Sequence, residues 1–201
     1  MLLVQTKSFE VTSLPQKEIL RYMRAGQTPS DEVLSAAREG ERRVLEASRC
    51  RACFVRVPVE FVSAECVRVG GIEMISGDLS KRLCGCGEAF VFGATAGVGV
   101  DRVIRLCEVS SALLSLACDA AGSALAEEIC DRLDGELMAE AQRYGKETVK
   151  RFSAGYGDLS LEYQKDIVAL LNTAKNIGAS LTDGVMMTPS KTVTAIVGIK
   201  S

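Results

Sequence analysis

Glu88-Ala89-Phe90-Val91-Phe92-Gly93-Ala94-Thr95-Ala96-Gly97-Val98-Gly99-Val100 is the stretch whose reading decides the fold. Residues 88–93 form a short apolar, aromatic-rich run, the pattern of a central strand buried on both faces. The glycine-rich remainder leads into a helix, and a strand–turn–helix junction is where phosphate loops occur. This junction lacks the Lys-Ser/Thr pair of a P-loop, and Arg102 stands where a dinucleotide fingerprint needs its third glycine. The favoured reading is a tight turn packed against backbone. A turn lining a different ligand's pocket is the alternative.

Downstream, residues 100–145 are strongly helical with a break near Ser110, and residues 111–126 are rich in Ala, Ser, Leu, Cys and Gly, which suits close helix packing. Asp158 or Ser160 opens a further helix with Ile167, Leu170, Leu171 and Ala174 as its inward stripe, and Gly178 is its C-terminal cap. Residues 180–187 and 192–199 read as two strands joined around Pro189-Ser190-Lys191. Upstream, residues 2–11 fit a first strand. Ser13 and Gln16 have capping-box spacing with Pro15 in the first turn of a helix through Ile19, Leu20 and Met23. Thr28, Pro29 and Asp31 start a second helix carrying Val33, Leu34, Ala37, Val44 and Leu45 on one face. Strands follow from Cys53 and over 66–74, with a helical turn or two at 78–83. Strands and helices mix without strict βαβ alternation. The expected fold class is therefore α+β, a mixed or antiparallel sheet with long helices, in one domain spanning 1–201: a mainly helical part over 1–50 and an α+β core over 51–201.

The 201 residues carry a net charge of −2, with 47% hydrophobic and 25% charged residues, the balance of a soluble globular protein. No basic excess points to nucleic acid. The most apolar long segment, residues 103–126, contains Arg105, Glu108 and Asp119 and reads as a buried helix, not a membrane span. With no secretory pattern at the start, the 8 cysteines suggest reduced thiols and a cytoplasmic location. The chain has 0 histidines, which removes Ser-His and Cys-His nucleophiles and any histidine-containing zinc site.

Candidate sites remain. Arg151-Phe152-Ser153-Ala154-Gly155-Tyr156-Gly157 places a planar donor fork beside two glycines and an aromatic ring. It reads either as a ligand loop for a carboxylate or phosphate, or as a tight surface turn with a solvated arginine. Glu127 and Glu128 end the small-residue segment, one nearer the buried face; each is either a solvated helix carboxylate or an acid aimed at a cationic ligand. Cys50, Cys53, Cys84 and Cys86 could together offer thiolates to zinc or an iron–sulfur cluster, although the CxC spacing does not suit a zinc ribbon.

The Arg151-to-Tyr156 element, the helix after it and the ordered run Ile177-Gly178, Leu181-Thr182-Asp183, Met187-Thr188-Pro189 and Thr192 to Ile199 resemble the activation domain of cobalamin-dependent methionine synthase. Leu125-Ala126-Glu127 is similar to that family's L-A-E helix. Coverage is good from about residue 86 onward and weak before it. The resemblance implies an S-adenosylmethionine site: Arg151 for the carboxylate, Ser153 and Ala154 in the same loop, Gly155 for close approach, Tyr156 near the corrin and Glu127 near the cationic end. It also implies reductive methylation of cob(II)alamin held by a partner, a cobalamin-binding methyltransferase module, with a flavodoxin- or ferredoxin-type electron donor. The protein is not expected to be catalytic alone. Phe152 and Ala154 replace the prolines that flank this loop in the fused enzymes, and counterparts of the family's later tyrosine and C-terminal extension are missing. These features suggest a free-standing short form. The rival expectation is a non-catalytic interaction module of such a methyltransferase that has lost its ligand.

Overall fold

The computed structural model describes residues 3–200, so Leu2 of the expected first strand lies outside the described residues. In chain order the elements are β1 (Gln5–Ser8), α1 (Gln16–Tyr22), α2 (Asp31–Ala47), β2 (Arg51–Ser63), β3 (Cys66–Val69), β4 (Ile72–Ile75) and α3 (Gly77–Arg82). There follow β5 (Cys86–Thr95), α4 (Val98–Ser110), α5 (Ala112–Gln142), β6 (Glu147–Thr148), a 3₁₀ turn (Leu161–Tyr163), α6 (Gln164–Leu171) and α7 (Thr173–Ile177). β7 (Ser180–Leu181), β8 (Met187–Thr188) and β9 (Thr192–Lys200) complete the chain.

The main sheet runs β4-β3-β2-β5-β9-β6, with β1 on the first half of the β2 edge that β3 uses in its second half. Every pairing is antiparallel. The α+β expectation holds, and alternation of side chains explains why. On β5, Phe90, Phe92 and Ala94 enter a core shared with α1, α2, α4 and α5, while Ala89 and Val91 enter a second core shared with α3, α6 and α7. β9 does the same with Val197 and Ile199 on one side and Ile196 on the other. A strand covered on both faces has no polar side to show, and so 88–93 reads as a continuous apolar run.

The small residues of α5 serve as expected. A Cβ on Gly40 of α2 would stand 2.8 Å from the Ala117 carbonyl carbon, so the two helices meet at backbone distance. The turn after β5 is also close-packed: Gly97 has φ 89°, Arg49 N–H donates to the Ala96 carbonyl at 2.8 Å, and Gly99 lies directly against Ala47.

Four local expectations are corrected. The Ser13–Gln16 capping box does not form; Pro15 is the N-cap without a side-chain bond, and the Leu14 amide instead donates to Glu41 Oε1 at 2.7 Å, drawing the chain onto α2. α2 is capped by Ser30, whose hydroxyl accepts from the Val33 amide. Ala174 is exposed and Thr173 is buried in its place, because Asn172 at φ 45° breaks the helix into α6 and α7. Residues 180–187 are a two-stranded hairpin rather than one strand; the Asp183-Gly184 turn outweighs the apolar residues around it.

At the sheet's far end Glu88 accepts from Arg56 at 2.5 Å and Lys146 at 2.7 Å. The Arg56 and Lys146 bonds hold its carboxyl down at about 2. A depressed folded-state pKa gives stability that is present above the ordinary carboxylate range and lost as pH falls toward the folded value. Glu88→Gln should therefore flatten the acid limb of the stability–pH curve between about pH 4 and 2. An unchanged limb in urea melts across that range would remove Glu88 from the account.

Candidate functional site

The site is built where the edge of the sheet meets α5. Residues 147–152 run along β9: β6 pairs with it, the Val149 amide donates to the Gly198 carbonyl at 2.9 Å, and Phe152 bridges to Ile196. From Thr148 to Phe152 the edge is one residue longer than Ile196 to Ile199 opposite, so it bulges. Such a bulge re-aims side chains. Val149 and Phe152 pack under the α3/α6 face, whereas Arg151 turns across the other face to α5.

There Arg151 meets three carboxylates. Its Nη2 donates to Glu127 Oε2 at 2.7 Å, and its Nη1 donates to Asp131 Oδ1 at 2.8 Å and also to Asp134 Oδ2. The acids lie at helical i, i+4 and i+7 positions, which stack on one face of α5. Arg151 is only 24% exposed, Asp134 28%, Glu127 46% and Asp131 67%. Burial works against the guanidinium charge, but the ion pairs outweigh it and hold Arg151 above its usual range. Burial pushes the Asp134 carboxyl up, with Arg151 opposing, and Asp134 Oδ1 is buried with no hydrogen-bond partner. Below them the Cys130 thiol is pushed up to about 12 by burial. A cleft of about 390 Å³ opens here, lined by Asp131, Asp134, Met138, Thr148, Lys150 and Arg151 among others.

After Arg151 the loop turns back on itself. The Tyr156 amide donates to the Ser153 carbonyl at 3.2 Å, and Gly155, at φ 90°, donates its amide to Leu159 at 2.8 Å. Ala154 is buried in the second core and Tyr156 is 64% exposed at the tip. Asp158 does not open the following helix; Ser160 does, accepting from the Glu162 amide. Asp158 instead accepts from the Gly77 amide at 2.8 Å, the Asp78 amide at 3.2 Å and the Ser76 hydroxyl, pinning the loop to α3. These bonds, the Ser76 hydroxyl foremost, lower its carboxyl pKa. Burial of Ala154, the packing of half-buried Phe152 and the Asp158 clamp thus fix a loop that carries no prolines. In Asp158→Ala, amide exchange at residues 77, 78 and 155–159 should quicken at least about tenfold while β5 and β9 amides keep their protection. Unaltered loop exchange would show that the clamp does not hold it.

The structure brings Glu127 to Arg151 and leaves Ser153, Ala154, Gly155 and Tyr156 in the adjoining turn. Asp131 and Asp134 were not singled out in the sequence, although their spacing from Glu127 was the available signal. The cysteine set is not brought together: Cys50 faces the helical core, Cys53 and Cys86 face the other side of the sheet, and Cys84 is exposed. Burial raises the pKa of Cys50, Cys53 and Cys86, keeping them as thiols. Among the described residues no group of His, Cys, Asp and Glu could hold a metal, and no helix is long and apolar enough to cross a membrane.

No protein-family model and no curated protein matches the chain. Among solved structures it is similar to the MetH reactivation domain bound to AdoHcy, with a TM-score of 0.69 at 14% identity, over 98% of this chain and 78% of that one. At that identity the likeness is one of fold: the chain has the α+β fold of that reactivation domain.

Proposed function

We propose that this protein binds S-adenosylmethionine at the Arg151–Tyr156 loop with Glu127, and supports reductive methylation of cob(II)alamin on a separate cobalamin-dependent methionine synthase or related corrinoid methyltransferase. The observation that carries the reading is the bond from Arg151, which lines a cleft, to Glu127, which does not, within the fold of a reactivation domain solved with AdoHcy. The donor set fits an amino-acid head group. The Nε–H of Arg151 has no acceptor among the described residues, so a ligand carboxylate can join the guanidinium without evicting Glu127. Glu127 and Asp131 offer acceptors to the ammonium end. S-adenosylmethionine, when bound, supplies the methyl group.

This chain's own contribution is to hold and orient that donor. Arg151 fixes the carboxylate, the turn at Gly155 lets backbone approach, and Tyr156 presents an exposed ring toward a docking partner. Cobalamin comes with the partner, and any histidine ligand to its cobalt comes from there too, since this chain has none. The electron comes from a flavodoxin- or ferredoxin-type protein, and the setting is the cytoplasm. The second reading is an interaction module that keeps the fold without a ligand, and the three carboxylates already on Arg151 are the observation that favours it.

Calorimetric titration with S-adenosylmethionine separates them. Saturable binding at one site per chain is the expected result. Absence of binding, both alone and with a corrinoid methyltransferase present, overturns the ligand reading in favour of the module.

A further inference from the structure

The two aspartates on α5 differ in a way that assigns them different work. Asp134 is committed inward: it is 28% exposed, gives Oδ2 to Arg151 Nη1, and keeps Oδ1 buried without a partner. Asp131, one turn toward Glu127, is 67% exposed and holds Arg151 by Oδ1 alone at 2.8 Å. An exposed ion pair is worth little and is easily exchanged, while a partly buried one is costly to break from one side. The charge count also matters. Three carboxylates bond one guanidinium, and with Lys150 on the wall of the same cleft the local surplus is still one negative charge before any ligand arrives. A ligand that adds a further carboxylate at Arg151 must therefore bring cationic charge with it.

Resting on the reading above, we propose that Asp134 is the positioning residue that aims the Arg151 guanidinium, and that Asp131 is a ligand-binding residue that exchanges from Arg151 to the ligand's cationic end and favours a sulfonium over a neutral thioether. S-adenosylmethionine carries an ammonium and a sulfonium. AdoHcy, its demethylated product, keeps the ammonium and has lost the sulfonium charge. With Glu127 serving the ammonium, Asp131 is the acid left to sense the difference. Loss of the methyl group then weakens the hold on the product, which helps it leave.

The test is a comparison of two ligands on three proteins by calorimetry: wild type, Asp131→Asn and Asp134→Asn. Asp131→Asn should weaken S-adenosylmethionine roughly three- to tenfold and AdoHcy little, so that the preference between them shrinks. Asp134→Asn should weaken both ligands by the same factor, because a misaimed guanidinium is lost to both, and Asp134→Glu should recover part of it. Bulk electrostatics would instead shrink the preference equally in both Asn variants, and that result, or an unchanged preference in Asp131→Asn, overturns the inference.

Arginine-selective labelling with phenylglyoxal, read by mass spectrometry, adds an arm that needs no ligand. Arg151 should label faster in Asp134→Asn than in wild type and Asp131→Asn, with the exposed Arg42 of α2 as internal reference. If wild type binds neither ligand, the S-adenosylmethionine reading fails. The labelling pattern then still decides whether Asp134 positions Arg151: equal labelling in all three proteins overturns that role.

Discussion

Arg151→Ala should reduce S-adenosylmethionine affinity by at least about thirtyfold, since truncating one side of a desolvated charge pair costs about 2–5 kcal/mol. The sequence alone suggests a variant with an intact fold and an empty site. The structure adds a stability cost, because the same guanidinium neutralises Glu127, Asp131 and Asp134. Without it three like charges share one face of α5, and the half-buried Asp134 loses its one bonded cation. Burial already holds the folded-state pKa of Asp134 above its usual value. Removing Arg151 takes away the opposing attraction and raises it further. A raised folded-state pKa means that the folded form holds its proton more tightly, so this contribution is fully present below the unfolded pKa and is lost as pH rises through the folded one. Arg151→Ala should therefore melt lower than wild type at pH 7 and recover ground as pH falls toward the usual carboxylate range. Arg151→Lys keeps one charge but not the fork, and should restore much of the stability while leaving affinity well below wild type. If Arg151→Ala binds S-adenosylmethionine as tightly as wild type, the site assignment is wrong.

Gly99→Ala is expected to be the most damaging single methyl in the molecule. Gly99 lies in the first turn of α4, and a Cβ there would fall well inside the contact distance of the Ala47 carbonyl oxygen, 3.1 Å from its carbonyl carbon. Both obstacles are backbone at the end of α2, so no side chain can swing aside. Relief requires α4 and the C-terminal end of α2 to separate, which strains the turn where Gly97 and Ala96 pack against Arg49. The cost should be on the order of 3 kcal/mol, about 6–12 °C in melting temperature. Gly135→Ala makes the control, because a Cβ there meets nothing within 4 Å and sits mid-helix, where alanine is the better helix former. Equal melting temperatures for Gly99→Ala and wild type would mean that the turn is looser than its packing implies.

Much of the fold was legible because its signals are local. The buried strand at β5 is an apolar run, the break between α4 and α5 falls at Ser110–Ser111, and Gly178 caps α7 in the left-handed region at φ 71°. Some readings failed on local backbone, at Asn172 and at the Asp183-Gly184 turn, and others because a distant partner decided them. Ser13 lost its capping role when Glu41 took the Leu14 amide; of the two openers offered for the next helix, Ser160 holds and Asp158 goes to the amides of α3. At the site, the resemblance put Arg151 and Glu127 at opposite ends of one ligand, and no local signal joined them to each other or drew in Asp131 and Asp134, because acids on a helix are ordinarily solvated.

The sequence by itself determined most of the helices and strands and the two-faced burial of β5, since these follow from side-chain periodicity and backbone preference within a few residues. Only the tertiary structure decided that a bulged edge beside β9 turns Arg151 onto α5, 24 residues from Glu127 along the chain. Which charges meet depends on the distance between elements, and no local pattern carries that distance.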